Sequence, residues 1–185
     1  MTISGDVPAA TPSAPRIRLA EAGDAPMLAE LATRTFVDTY AADNRPEDVA
    51  AFVAKAFGAD QQAAEVANPA NRYLVAEVEG VPAGYVLLRP DPPPPCVPPG
   101  PVLAIARFYV THAWHGRGIA HALMDAALAA AAPRSASAVW LTVWERNARA
   151  MAFYRKHGFR IVGDAPFAMG EDVQNDHVML REVAP

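Results

Sequence analysis

A single cysteine, Cys96, stands among 185 residues, which excludes an intrachain disulfide and any metal site built on several thiolates. Charge is sparse too: 16 Lys and Arg against 20 Asp and Glu leave a net charge of −4. No basic stripe interleaved with aromatics is present, so nucleic acid is not an expected partner. No apolar run reaches the roughly 18 residues that would suggest a helix crossing a bilayer. The opening MTISGDVPAATPSAPRI lacks the basic and apolar regions of a secretory signal; the expectation is a cytoplasmic protein without a membrane partner. The five histidines fall in no His-Glu-x-x-His or comparable spacing, and no metal is expected. Cys96, set in a proline run, reads as an exposed structural thiol.

What is present is enough apolar material, 52% of the residues, to bury one sizeable core. Residues 1–15 are rich in Pro, Ala, Ser and Thr and read as a disordered tail; residues 16–185 read as one domain. A first strand is expected from Arg16, a helix over Gly23 to Val37 and a second over Pro46 to Phe57, where proline opens the first turn. Arg72 to Arg89 reads as two strands joined by a tight turn. Residues 90–101, PDPPPPCVPPGP, hold eight prolines in twelve positions and read as an extended, polyproline-like link. Then follow a strand over Val102 to Val110, a helix over Gly116 to Ala132, a strand over Ala138 to Trp144, a helix over Ala148 to His157, and strands near Phe159 to Val162 and Asp176 to Arg181.

The junction ARFYVTHAWHGRGIAHALM, residues 106–124, suits an anion. Gly116 and Gly118 allow a tight turn with amides pointing outward, and the following helix presents unpaired N-terminal donors and a partial positive charge. A dinucleotide fingerprint starting at Gly116 fails, because its sixth position is His121 and no acidic residue lies near 20 positions on. A Walker A loop fails as well, for want of Gly-Lys-Ser or Gly-Lys-Thr. A second block, WLTVWERNARAMAFYRKHGF over residues 140–159, holds Asn147 as a natural helix cap and Gly158 as a stop. Asn147 and Tyr154 are seven residues apart and so fall about 20° from one another on one helix face, where they can line one cleft.

The first block resembles motif A of the GCN5-related N-acetyltransferase (GNAT) superfamily, [Gln/Arg]-x-x-Gly-x-[Gly/Ala], with His115, Gly118 and Ala120 at its fixed positions. The second resembles that superfamily's Asn, Ala-x-x-x-Tyr and Gly-Phe block. A third, FAMGEDVQNDHVML over residues 167–180, is similar to the C-terminal signature of the PaiA-like spermidine/spermine acetyltransferase branch. The resemblance implies an α/β (α+β) GNAT fold: a mixed, mostly antiparallel sheet of about seven strands with helices on both faces and a splayed V between two central parallel strands. It further implies an acetyl-CoA-dependent N-acetyltransferase acting in a ternary complex on a primary amine of a polyamine-like small molecule or a peptide. Residues implied to hold acetyl-CoA are Phe108, Tyr109 and Val110 by their backbone; His115, Gly116, Arg117, Gly118, Ile119, Ala120 and His121 at the pyrophosphate; and Asn147 and Tyr154 along the pantetheine arm.

In the implied reaction the Val110 backbone N–H stabilises developing negative charge and Tyr154 is the general acid. In water, proton transfer from a phenol to a thiolate is uphill by roughly 2 kcal/mol, so hydrogen bonding to the leaving sulfur is a sufficient role. The base is open among Glu145, Asp38 and an ordered-water path; the position where some superfamily members carry Glu, five before Asn147, is Thr142. Arg107, His112, His115, Arg117 and His121 are expected around the phosphate, and Asp164, Glu171, Asp172 and Asp176 suit either a cationic acceptor or a solvated acidic loop. A non-catalytic acyl-CoA-binding module, and a modifier of proteins or amino acids on the same fold, are the competing readings. A homodimer is compatible with both.

Overall fold

Alternation in the two most apolar strands sets the layering. In a strand, successive side chains point to opposite faces. Leu74, Ala76 and Val78 enter one apolar cluster while Tyr73 and Val75 enter another, so both faces are covered. In the computed structural model, which describes residues 14–134, 136–169 and 172–183, seven strands form one sheet in the order β1-β2-β3-β4-β5-β7-β6. They are β1 (Arg16–Leu19), β2 (Arg72–Val78), β3 (Val81–Arg89), β4 (Val102–Val110), β5 (Ala138–Trp144), β6 (Arg160–Met169) and β7 (Asp172–Glu182). Only β4 and β5 run parallel. This is the mixed sheet that the GNAT resemblance implies.

Helices α1 (Ala25–Tyr40), α2 (Pro46–Ala56) and α3 (Ala59–Ala67) separate β1 from β2; α4 (Ile119–Ala131) and α5 (Ala148–Lys156) flank β5. Leu28, Leu31, Ala32 and Phe36 of α1 and Val49 of α2 pack on one face with Tyr73, Val75, Tyr85 and Leu87. Leu123, Met124 and Ala127 of α4 and Met151 and Tyr154 of α5 pack on the other. A third cluster joins Val97 to Ala104, Ala138, Trp140, Val178 and Leu180.

Four sequence expectations need correction. A third helix, α3, follows α2; its buried positions are Gln62 and Glu65, so it carries no apolar stripe to read. The last two strands are about twice the expected length and pair from Arg160↔Leu180 to Met169↔Asp172. The proline segment is not simply extended, because Val97 N–H donates to Pro94 C=O at 2.9 Å and buries the Val97 side chain against β4, β5 and β7. Cys96 is half-buried rather than exposed, and a Cβ on Gly163 would stand 2.6 Å from its own Cβ. Of the expected tail, residues 1–13 lie outside the described residues, as does Glu171.

Candidate active site

β4 and β5 pair only over Val102–Ala104 and Ala138–Trp140, although β4 runs on to Val110 and β5 to Trp144. Beyond Ala104 the two strands part. Thr111 N–H donates to Ala83 C=O of β3 at 2.9 Å, so strand alternation turns the Val110 N–H and C=O the opposite way, into the gap. A cleft of ≈ 350 Å³ fills this V, with Phe108, Tyr109, Val110, His115, Ala120, Asn147 and Tyr154 in its walls. Seven of the sequence-predicted residues therefore meet in one place.

At one end of the cleft lies the glycine turn. Gly116 and Gly118 have φ of 76° and 81°, a backbone that β-carbon-bearing residues rarely adopt. A Cβ at either would meet nothing within 4 Å, so these glycines serve the left-handed turn. Gly118 caps α4 without a side-chain acceptor, and the first bond in this helix runs from Ala122 N–H to Gly118 C=O at 3.1 Å. The amides ahead of it point away from any intrahelical partner, which suits a diphosphate. α4 thus begins at Ile119 rather than Gly116; the turn precedes it.

The cations at this end differ from those expected. Arg107 is not among them: its guanidinium bonds both carboxylate oxygens of Glu65 and the Ala56 carbonyl on the other face of the sheet. Arg117 lies over the Trp114 ring at 5.0 Å, and His121 Nδ1 is 2.9 Å from His157 Nε2. Ile119 is a core residue. His115 Nε2 lies 2.7 Å from Val110 C=O, and a carbonyl only accepts, so Nε2 carries the proton. Arg149 donates to His115 Nδ1 at 2.9 Å. His115 is accordingly neutral, and burial, Arg149 and His112 lower its pKa. The fixed charge beside His115 is that of Arg149, which lines the same cleft. A cation in the first turn of α5 opposes the helix dipole; that mismatch was the available signal.

Asn147 Oδ1 accepts from Ala150 N–H at 3.0 Å, which fixes the amide orientation, and the residue lines the cleft. Tyr154 packs edge-on to Phe108 at 6.2 Å. Burial, then the nearby Tyr40 phenol, raise its pKa, so its hydroxyl stays protonated and is able to donate a hydrogen bond.

A second cavity of ≈ 290 Å³ adjoins the first, sharing Tyr40, Ala106, Arg107, Tyr109 and Thr142 with it. Asp176 of β7 opens on it, opposite Trp144, with Thr142 of β5 in the same cavity wall. Asp38 lines the V cleft; Glu145 is exposed at the end of β5. The other described acids of the C-terminal block face elsewhere, Asp164 onto His177 at 2.6 Å and Asp172 onto Gln174 at 2.8 Å.

Burial, partly offset by the neighbouring Thr142 hydroxyl, raises the Asp176 pKa from 3.8 to about 6. A carboxyl group whose folded pKa is raised is bound to its proton more tightly in the folded chain. Its favourable contribution is complete below the unfolded value and is lost as pH rises through the folded one. Asp176→Asn is therefore expected to stabilise the fold by about 1–2 kcal/mol near pH 8, after discounting for solvent screening. The gain should vanish below about pH 4. Thermal melts at both pH values check this; an equal shift at each would point to packing instead of charge.

Within this frame, residues 27–159 match the acetyltransferase (GNAT) family. The chain belongs to that family and is an N-acetyltransferase. It is 36% identical over 161 residues to an uncharacterised N-acetyltransferase of Mycobacterium tuberculosis, covering 86% of this chain and 98% of that one. It is 32% identical over 158 residues to another from Lactobacillus delbrueckii subsp. lactis, covering 85% and 91%. Among solved structures it superimposes on the PaiA N-acetyltransferase from Thermoplasma acidophilum in complex with coenzyme A, with a TM-score of 0.72, 17% identity, and 92% and 99% of the two chains covered; this likeness is one of fold. No helix among the described residues is long and apolar enough to cross a membrane.

Proposed function

We propose that the V cleft holds acetyl-CoA and that the acetyl group passes directly to a primary amine of a small molecule, polyamine-like amines included, or of a peptide. The observation that carries this reading is the early parting of β4 from β5 next to an uncapped, glycine-preceded helix start: an extended arm fits the first and a diphosphate the second. The solved PaiA structure is in complex with coenzyme A, which agrees. The residues fit this co-substrate. Gly116 to His121 would hold the diphosphate through amides, with the Arg149 charge beside them and the neutral ring of His115 holding Val110 C=O. The backbone of Phe108 to Val110 and the Asn147 amide would hold the arm. Two cavities with a common wall suit simultaneous occupancy and hence direct attack.

Acetyl-CoA, when bound, supplies the thioester carbonyl. Val110 N–H faces the gap where negative charge on that oxygen develops, and as a fixed dipole it needs no reorganisation. Tyr154, held protonated by burial, donates a hydrogen bond to the departing sulfur. A hydrogen bond to a charged partner contributes about 1.5–3 kcal/mol. Tyr154→Phe should therefore lower kcat roughly 10- to 150-fold with little change in KM for acetyl-CoA. Thiol release across an amine panel, together with calorimetric titration of coenzyme A, tests the reading. Wild-type turnover in the variant would remove Tyr154 from the chemistry; no coenzyme A binding at all would sink the function.

A further inference from the structure

The second cavity has a composition that narrows the acceptor. Its walls carry the rings of Phe36, Phe52, Phe167, Tyr40 and Trp144 with one carboxylate, Asp176. The two other charged groups facing it, Arg89 and Arg107, are already matched: Arg107 by Glu65, Arg89 by Asp91 at 2.6 Å and Glu65 at 3.5 Å. Among the described residues no Lys or Arg pairs with Asp176. Its surroundings are Tyr40 from α1, Thr142 and Trp144 from β5 with Glu145 just beyond, Ala165 opposite on β6, and Gln174 and His177 along β7. The His177 ring is occupied by Asp164. An unmatched, largely buried carboxylate in an aromatic chamber calls for a cation from outside.

Resting on the acetyl-CoA reading above, we propose that this cavity takes a monoamine with an aromatic or apolar body, and that Asp176 both anchors its ammonium group and accepts the proton. A second ammonium, as in a polyamine, would find no further unmatched carboxylate there and would face two guanidinium groups. Rings lining such a cavity instead stack on an aryl group or shield an alkyl chain. Thr142 and Asp176 lie on neighbouring strands and line the same cavity, so β7 supplies the acid in a site where β5 itself offers none.

The step balances as follows. The ammonium passes one proton to the Asp176 carboxylate, which returns it to solvent between turnovers. The freed nitrogen pair forms the bond to the acetyl carbon, and the carbon–sulfur bond breaks with its pair on sulfur. The second nitrogen proton ends on that sulfur, giving amide and free thiol. A carboxyl group with a pKa lifted to about 6 is a better proton acceptor than an ordinary aspartate, and is still ionised at neutral pH.

The test measures initial rates of thiol release from acetyl-CoA with 2-phenylethylamine, hexylamine and spermidine, for wild type, Asp176→Asn and Asp176→Glu. kcat/KM is expected to be at least tenfold higher for 2-phenylethylamine than for spermidine. Asp176→Asn should lower kcat/KM for the monoamines at least 100-fold and abolish the fall of kcat/KM on the acid side near pH 6. Asp176→Glu should recover part of the rate and keep that limb. Titration of coenzyme A should be unchanged in both variants, which separates loss of chemistry from loss of fold. Preference for spermidine, or Asp176→Asn with its rate and acid limb intact, overturns the proposal while leaving the acetyl-CoA reading standing. Wild type that binds no coenzyme A overturns both.

Discussion

Replacing Glu65 by alanine is expected to destabilise the fold by about 3–5 kcal/mol, the range for a buried ion pair that loses one partner. Glu65 is nearly buried, with a side-chain exposure of 6% against 12% for Arg107, and it accepts from both guanidinium nitrogens. Removing it leaves Arg107 charged beneath α3 with the Ala56 carbonyl, Gln62 and the face of the Phe57 ring as partners, and no carboxylate among them. The damage spreads because Gln62 is shared: it also accepts from the Tyr73 hydroxyl at 2.7 Å and donates to Ala56 C=O at 3.1 Å. Urea unfolding should show a lower midpoint with an unchanged slope. The double variant Glu65→Met with Arg107→Met should recover most of the loss, since matched apolar volume avoids the unpaired charge. A single variant within 1 kcal/mol of wild type would mean that solvent reaches Arg107 and the pair is ornamental to stability.

The same polar network explains where sequence reading stops. Period-2 and period-3.6 apolar patterns were sufficient for β2 to β5, α1, α4 and α5, because there burial is apolar and leaves a period. α3 buries Gln62 and Glu65, so its inner face looks like an outer one. Arg107 sits on β4 one residue before Phe108 and borders the V, but its guanidinium turns to Glu65; adjacency in sequence suggested the phosphate end. Gly116, Gly118, Asn147 and Tyr154 were legible because turn, cap and helix-face rules fix them locally. Asp176 stood out only as one of four acids. What separates it from Asp164 and Asp172 is the register Trp144↔Asp176, a long-range pairing with no local trace. Arg149 was hidden for a similar reason, since its partner His115 is 34 residues away.

Both cavities descend from one feature, the parting of β4 from β5. Had the pairing continued past Ala104, Val110 N–H would bond to β5 and Tyr109 would pack into a closed sheet. Because it stops, β4 borders both chambers: Phe108 and Val110 line the V alone, whereas Arg107 and Tyr109 line both cavities. Thr142 does the same from β5, lining both cavities. The point of reaction in the proposed mechanism therefore sits at a seam whose position depends on how β4 is held from its other edge.

That edge is β3, and Gly84 sets its distance. Gly84 stands opposite Val110, and a Cβ there would lie 2.6 Å from Tyr109 C=O and 3.1 Å from Val110 Cα. These are backbone atoms, which cannot rotate aside as a flexible side chain can. Gly84→Ala is expected to cost about 3 kcal/mol or somewhat more, the upper end for overpacking, and to push Tyr109 and Val110 into the V. Turnover should fall at least tenfold beyond any loss of folded protein, because the Val110 N–H leaves its aim and a 1 Å error at a reacting centre is costly. Gly80→Ala is the control: its φ of 78° imposes a strain of about 1–2 kcal/mol, yet it faces open space in the β2–β3 turn and should leave turnover per folded molecule unchanged. Denaturant melts and thiol-release kinetics on both variants separate strain in general from strain at this seam. If Gly84→Ala lost stability but kept full turnover, the position of Val110 would not limit the reaction, and the oxyanion donor would have to be sought elsewhere along the cleft.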